Sequence, residues 1–159
     1  MHKFLLGASV SAMLAFSTVQ AGEIEVPSEA AMTFVGQFSD DHLSGMLSRR
    51  GGQSTIFIGL VQAHGQIVDR VLELAISDAV RKYGPEWQAN MAAAWDPLMT
   101  EAELESLTLA GAQSPYTDKY LELRSTAGQS MQASSQDLFK QIMVEVLGEV
   151  QKSLEVPKG

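Results

Sequence analysis

The chain has 159 residues, contains no cysteine and carries a formal net charge of −8 at pH 7. This acidic balance argues against nucleic acid and anionic membranes as partners, because both attract basic surfaces. The lack of cysteine excludes disulfide bonds and thiol chemistry, so the fold has to be stabilised by packing.

Residues 1–21 have the pattern of a cleavable secretory signal. Lys3 provides the positive start, a mostly apolar stretch follows, and Ala21 ends a small-residue cleavage pattern. We therefore expect a periplasmic protein that is exported and cut after Ala21, with residues 22–159 forming a single helical domain. No later stretch is apolar enough to predict a membrane span, so we expect the mature chain to be soluble.

Beyond the signal segment, apolar residues recur with the period of an α-helix, and the alternation typical of strands is almost absent. This pattern predicts an all-α fold, a bundle of about six helices. Ser28 and Ser39 are placed to accept hydrogen bonds from a first helical turn, so each is predicted to cap a short helix. Gly51 and Gly52 are predicted to end the second of these helices.

The longest apolar stripe covers residues 54–83 and predicts one helix there. His64 falls on this stripe, and we expect a core histidine that bonds a carbonyl or a partner side chain. A pH-responsive contact and a ligand role are the alternatives for His64. Gly84 and Pro85 are predicted to end the helix, because glycine suits a left-handed terminal position and proline suits the start of the next helix.

Trp87, Met91 and Trp95 follow at four-residue spacing, on a predicted helix that ends before Pro97. An apolar face of this kind usually packs in the core, so core packing is the favoured role of both tryptophans. A groove for a sugar or a peptide, lined by the two indole rings, is the alternative.

Thr100 and Glu103 form the clearest local signature, a capping box in which each side chain accepts a hydrogen bond from the backbone of the other residue. Met99 and Leu104 occupy the two positions of a hydrophobic staple. The motif predicts a helix over residues 101–112.

The C-terminal part is predicted to contain two further helices. The first opens after Ser114 and Pro115 and is expected to break at residues 125–128, and the second covers residues 131–154. Its apolar face is expected to pack against the long helix predicted above, with Glu145 on the solvent face.

Three segments of the C-terminal half resemble a known family: residues 99–107 (MTEAELESL), the Ser114-Pro115 step and residues 123–131 (LRSTAGQSM). Over residues 95–154 the chain is similar to small exported bacterial helical proteins that are catalogued only as a domain of unknown function. That family typically has a capped acidic helix with an E-L-x-x-L core, a Ser-Pro-x-Gly step and a final amphipathic helix. In this chain the two parts of the Ser-Pro-x-Gly step are separated. Ser114-Pro115 lacks the following glycine, and residues 125–128 have the glycine but threonine in place of proline. The resemblance implies a helical exported domain and brings no catalytic residues.

Residues 59–62 (GLVQ) resemble the Gly-Leu-Met-Gln segment of lytic transglycosylases, which cleave the bacterial cell wall. Those enzymes use an upstream Glu-Ser pair whose carboxylic acid protonates the glycosidic oxygen. Here Glu29 is followed by Ala30, and no later Ala-Tyr-Asn-type segment is found. A peptidoglycan-acting enzyme is therefore the alternative function, to be tested by replacing Glu23, Glu25 and Glu29 with glutamine in a wall-digestion assay.

The sequence predicts no catalytic, cofactor-binding or metal-ligating residues. His42 and His64, the histidines beyond the signal, lack the spacing of a zinc site. Carboxylates at helical spacing, such as Glu101 with Glu105, are expected to form a solvated face. Methionines are scattered singly, which favours gap filling in the core over copper binding.

Together these patterns predict a non-catalytic binding or interaction module of the bacterial cell envelope. Its partner would be an envelope protein or a small ligand that the sequence does not identify.

Overall fold

The computed structural model describes residues 26–155, which contain six α-helices, one 3₁₀ turn and no β-strand. The predicted all-α fold is confirmed. The helices are α1 Glu29–Gly36, α2 Ser39–Gly52, α3 Thr55–His64, α4 Ile67–Trp95, α5 Glu101–Ala110 and α6 Thr117–Glu155, and the 3₁₀ turn is Gly111–Gln113. The predicted signal, residues 1–21, lies outside the described residues. No helix within the described part is both long and apolar enough to cross a membrane.

Helices α4 and α6 form the centre of the fold, and they run antiparallel. Near one end of the pair Trp95 of α4 stacks on Tyr120 of α6, and further along Lys82 of α4 pairs with Glu145 of α6. Helices α1, α2 and α3 pack on α4, and α5 packs on α1. Because α6 has 39 residues, it is roughly 58 Å long and spans the whole domain.

The predicted helix over residues 54–83 is wrong, because the chain breaks at Gly65. This glycine has a φ angle of 71°, a left-handed conformation that ends α3 at His64 and redirects the chain into α4. His64 is exposed at the end of α3, so its expected role as a core histidine is also wrong. The apolar stripe continues across the break because α3 and α4 both pack against other helices of the fold.

Gly84 and Pro85 do not end a helix; they lie inside α4, which continues to Trp95. Proline removes one N–H from the helical ladder, but the buried side chains on either side, Tyr83 and Trp87, hold the helix in place. The glycine serves close packing, since a Cβ atom at position 84 would lie 2.9 Å from Oδ1 of Asp40 on α2. The prediction failed because this packing partner lies far away in the sequence.

The predicted break at residues 125–128 is wrong for a similar reason. These residues lie within α6, and Ala127 is buried in the core. A glycine inside a helix, such as Gly128, costs about 1 kcal/mol of stability relative to alanine. The long contact of α6 with α4 offsets this cost. The predicted helix start near Pro115 is close to the observed one, because α6 begins at Thr117.

Helix capping follows the sequence in most places. Ser28 caps α1 by accepting from the N–H of Ala31 at 3.2 Å, and its hydroxyl donates to Asp96 at 2.5 Å, which ties α1 to the end of α4. Ser39, however, is not a cap: it is the first residue of α2 and is buried, and Phe38 precedes it without a side-chain hydrogen bond.

The predicted capping box is confirmed. The Thr100 hydroxyl accepts from the N–H of Glu103 at 3.4 Å, and the Glu103 carboxylate accepts from the N–H of Thr100 at 2.9 Å. Glu103 also accepts from Lys119 of α6 at 2.7 Å. The hydrogen bond from Lys119, followed by that from the Thr100 backbone, lowers the pKa of the Glu103 carboxyl. The box therefore starts α5 and also fastens it to α6.

The final helix packs on α4 as expected, with Ile142, Val146 and Val150 fully buried. Glu145 lies at the solvent-exposed edge of this contact, with its side chain 38% exposed, but it is not free of α4. Its carboxylate accepts from Lys82 at 2.6 Å and from the Tyr83 hydroxyl, and these two hydrogen bonds, in that order, lower its pKa. Glu145 is thus a contact between the two central helices.

The capping box makes a first testable prediction. Thr100→Ala should lower the free energy of unfolding by about 0.5–2 kcal/mol, because the N–H of Glu103 loses its acceptor. Thr100→Ser keeps the hydroxyl and should be nearly silent in the same chemical denaturation experiment. Equal losses from both variants would contradict the capping role.

The packing of α6 makes a second prediction. Val146→Asp should destabilise the domain by several kcal/mol, because it places an unpaired carboxylate at a site that is 1% exposed. Val144, two residues earlier on the same helix, is 74% exposed. Val144→Asp should therefore change the free energy of unfolding by no more than about 0.5 kcal/mol. Similar melting temperatures for the two variants would show that α6 is not a core element.

Candidate functional site

A groove runs between α2 and α6, with α4 as its floor and the start of α3 at one end; its volume is about 1360 Å³. Pockets for drug-sized ligands have volumes of about 300–1000 Å³, so this groove is large enough for an extended ligand. On α6 its lining reaches from Tyr120 to Leu147, which corresponds to roughly 40 Å of helix.

The two walls of the groove are rows of residues at four-residue spacing. The row on the α2 side consists of Phe38, which directly precedes the helix, and His42, Met46 and Arg50 of α2. The main row on α6 consists of Tyr120, Arg124, Gly128, Gln132, Gln136, Lys140 and Val144. Residues four apart are neighbours along a ridge that winds slowly around a helix, so these rows are the signal in the sequence that was missed. Neither row is strongly apolar, so the apolar periodicity of the sequence does not reveal them.

The floor of the groove consists mainly of Trp87, Met91 and Trp95. Trp87 and Trp95 are 2% and 6% exposed, which confirms the predicted core packing of both rings. Trp95 stacks on Tyr120 with ring centroids 4.8 Å apart, and Phe34 meets it edge-on at 6.0 Å. Both tryptophans also line the groove. Core packing and groove lining, the two alternative roles of these rings, are therefore both observed.

The groove is narrow where α2 and α6 both approach Trp87. The His42 ring of α2 stacks on the Trp87 indole at 5.9 Å, and the Phe139 ring of α6 lies 6.1 Å from it. Desolvation of the His42 imidazole, followed by the charge of Arg49, lowers the pKa of His42 below its usual value of 6.5. The neutral imidazole is therefore the form that suits this stack.

Trp87 also carries a buried polar atom without a partner. Its indole N–H has no hydrogen-bond acceptor within the described residues. A buried donor without an acceptor costs about 1–3 kcal/mol, so the apolar packing around this ring has to offset that loss.

Thioether side chains add to the apolar lining. Met46, Met91, Met131 and Met143 all lie along the groove. Methionine side chains are flexible and polarizable, and surfaces rich in them adapt to ligands of different shape. The residues described contain no cluster of histidine, cysteine or carboxylate side chains that could hold a metal ion.

The charges of the groove differ from those of the whole chain. The sequence has 19 acidic and 11 basic residues, yet the groove is lined by Arg50, Arg124 and Lys140 and by no aspartate or glutamate. Within residues 26–155, Arg50 and Arg124 make no ion pair, whereas Lys140 pairs with Asp137 at 3.1 Å. The groove is therefore a basic surface on an acidic protein.

Gly128 forms a gap in the α6 wall. A Cβ atom built at this position would meet no other atom within 4 Å, so the space beside it is open. The glycine that was predicted to break the helix instead leaves room in the groove.

The other sequence candidates lie elsewhere. Residues 59–62, which resemble the lytic transglycosylase segment, are on α3 and do not line the groove. Glu29 is in the first turn of α1, and Glu23 and Glu25 lie outside the described residues. His64 is at the end of α3, away from the groove lining.

Comparison with known proteins gives no match: no protein-family model, no curated protein and no solved structure is similar to this chain. The resemblance of residues 95–154 to a family of exported helical proteins therefore stays an expectation. The site has to be interpreted from its own geometry.

The stacked histidine gives a third prediction, on pH. Because the folded state holds the pKa of His42 below 6.5, the unfolded chain binds this proton first as the pH falls. Stability should be constant above about pH 7 and should fall slightly as the pH drops below 6.5. In this window His42→Gln should remove the fall, and His64→Gln, at the end of α3 and outside the stack on Trp87, should retain it. Glu103 and Glu145, whose pKa values are lowered from 4.5, lose their contribution only at more acid pH.

Thermal unfolding followed by circular dichroism at a series of pH values would measure these slopes. A decline of the same size in the His42→Gln variant would show that another group is responsible.

Proposed function

We propose that this protein is a non-catalytic binding module of the bacterial cell envelope, and that the groove between α2, α4 and α6 holds an elongated, mainly apolar ligand. The observation that carries the proposal is the groove itself, about 1360 Å³ in volume, with an aromatic and thioether floor. Sites for small molecules are concave and mostly apolar, with a few polar groups that orient the ligand.

The apolar side chains of the groove support a binding role. Phe38, Met46 and Phe139 are only partly buried, although they pack against the hydrophobic core. Partly exposed apolar side chains that line one groove are typical of surfaces that bind a ligand or a partner. A ligand that covered them would remove further apolar area from water.

The polar side chains of the groove support a role without catalysis. His42 stacks on Trp87 and has no carboxylate beside it in the lining that could orient or charge it. The Ser135 hydroxyl bonds the sulfur of Met131, and the Ser54 hydroxyl caps α3. Acid–base and nucleophilic catalysis both need a reactive group within hydrogen-bonding reach of a second one, and none of these three side chains has such a partner.

The cell-envelope location in this proposal rests on the signal pattern of residues 1–21. The alternative, a peptidoglycan-acting enzyme, needs a carboxylic acid near residues 59–62. Glu29 is on α1, which packs on α2, α4 and α5, whereas residues 59–62 are on α3, which packs on α2, α4 and α6. No observation in the described residues favours the enzyme over the binding module.

Two glycines of α6 allow a matched test of the groove. Gly128 lines it and Gly148 does not, and at both positions a new Cβ atom would meet nothing within 4 Å. Leucine is also a better helix former than glycine, so neither variant should lose stability. Gly128→Leu should fill part of the groove, and Gly148→Leu should leave it unchanged.

The measurement is binding of the neutral fluorescent probe N-phenyl-naphthylamine. The unmodified protein and Gly148→Leu should bind the probe with the same affinity, and Gly128→Leu should bind it at least about tenfold more weakly, because one apolar contact region is occluded. Failure of the unmodified protein to bind the probe, or equal binding by both variants, would contradict the proposed function.

A further inference from the structure

We infer that the ligand of this groove is a single-chain anionic amphiphile of the fatty acid type, with its acyl chain along the partly exposed apolar side chains of the lining and its carboxylate at the Arg50 end. This inference rests on the proposed function and deepens it. Three features carry it: the width of the groove, its charge, and the difference between its two ends.

The width of the groove excludes a helical partner. The His42 and Phe139 rings lie 5.9 and 6.1 Å from the Trp87 ring, so their centres are at most about 12 Å apart. The thickness of the two rings reduces the free space further. An α-helix with its side chains is about 10–12 Å across, so it cannot pass between these walls. A single polymethylene chain is thinner than a helix and can follow the partly buried apolar side chains of the lining, Phe38, Met46 and Phe139.

The charge of the groove selects an anion. Arg50 and Arg124 line it without an ion pair in the described residues, and no carboxylate lines it, in a chain with an excess of acidic residues. A positive groove on an acidic protein attracts anionic ligands and disfavours cationic ones, because like charges across an interface cost free energy. Arginine in particular binds carboxylates through two parallel hydrogen bonds.

The two ends of the groove differ in what they offer a carboxylate. At one end Arg50 lies close in sequence to the amino terminus of α3, and Ser54, Thr55 and Ile56 of that terminus line the groove. Ser54 accepts from the N–H of Phe57, which leaves the N–H groups of Thr55 and Ile56 for solvent or a ligand. These amides and the helix dipole add to the positive charge of Arg50.

At the other end the cation is Arg124, which lies two turns inside α6, where the backbone amides are already bonded within the helix. The surrounding lining consists of Phe38, Trp95 and Tyr120. This end suits the apolar tail. The carboxylate therefore belongs at Arg50 and the terminal methylenes near Trp95.

The test uses three ligands with the same tail: dodecanoate, dodecanol and dodecyltrimethylammonium, each added below its micelle-forming concentration to displace the neutral probe from the full chain. Dodecanoate should displace the probe at a concentration at least about tenfold lower than the other two, because only it gains charge-assisted hydrogen bonds. Arg50→Gln should abolish this preference, so that dodecanoate and dodecanol displace the probe at similar concentrations.

Arg70→Gln is the matched control, since Arg70 is exposed, lies outside the groove and has no ion pair within the described residues. This variant should keep the preference for dodecanoate. Equal displacement by the cationic and anionic ligands would overturn the inference while the proposed function stood, because the neutral probe would still bind. Loss of the preference in Arg124→Gln instead of Arg50→Gln would overturn the position of the carboxylate.

Two further outcomes separate the inference from the function. If the neutral probe does not bind at all, the proposed function fails together with the inference. If size-exclusion chromatography shows a dimer that excludes the probe and binds it only after dilution to monomer, a second copy of the chain occupies the groove and the amphiphile is ruled out.

Discussion

The antiparallel contact of α4 with α6 is the constraint on which the rest of the structure depends. An isolated amphipathic helix is marginal in water, and α6 is stable because its apolar face, with Ile142, Val146 and Val150, is fully covered. Polar contacts fix the register: Tyr83 and Lys82 of α4 both hydrogen-bond Glu145 of α6. Once these two helices are placed, α4 offers its remaining faces to α1, α2 and α3.

The groove is a direct consequence of this arrangement. Helices α2 and α6 both pack on α4, and they approach each other closely only near Trp87, where His42 and Phe139 flank the indole. Elsewhere the space between the walls stays open, and the floor residues belong to the core and to the groove at once. A ligand would therefore contact side chains that the core already holds rigid, which lowers the entropy lost on binding.

Charge gives this groove its character. The protein as a whole is acidic, and an acidic protein is poorly suited to anionic surfaces. No carboxylate lines the groove, and Arg50 and Arg124 are free of ion pairs within the described residues, so the unpaired charges of its lining are positive. The acidic net charge, which disfavours large anionic partners, is therefore compatible with a small anionic ligand held inside the groove.

The sequence by itself determined the helical period, the caps at Ser28 and Thr100 and the apolar face of the last helix, because these features depend on neighbours within a few residues. Only the tertiary structure decided which glycines interrupt a helix. Gly65 does so, whereas Gly84 lies inside α4 to admit Asp40 and Gly128 lies inside α6 beside an open groove. Local patterns show which face of a helix is apolar, but not which other helix covers it. The groove between α2 and α6 arises where that cover is incomplete, so it became visible only when the helices were packed together.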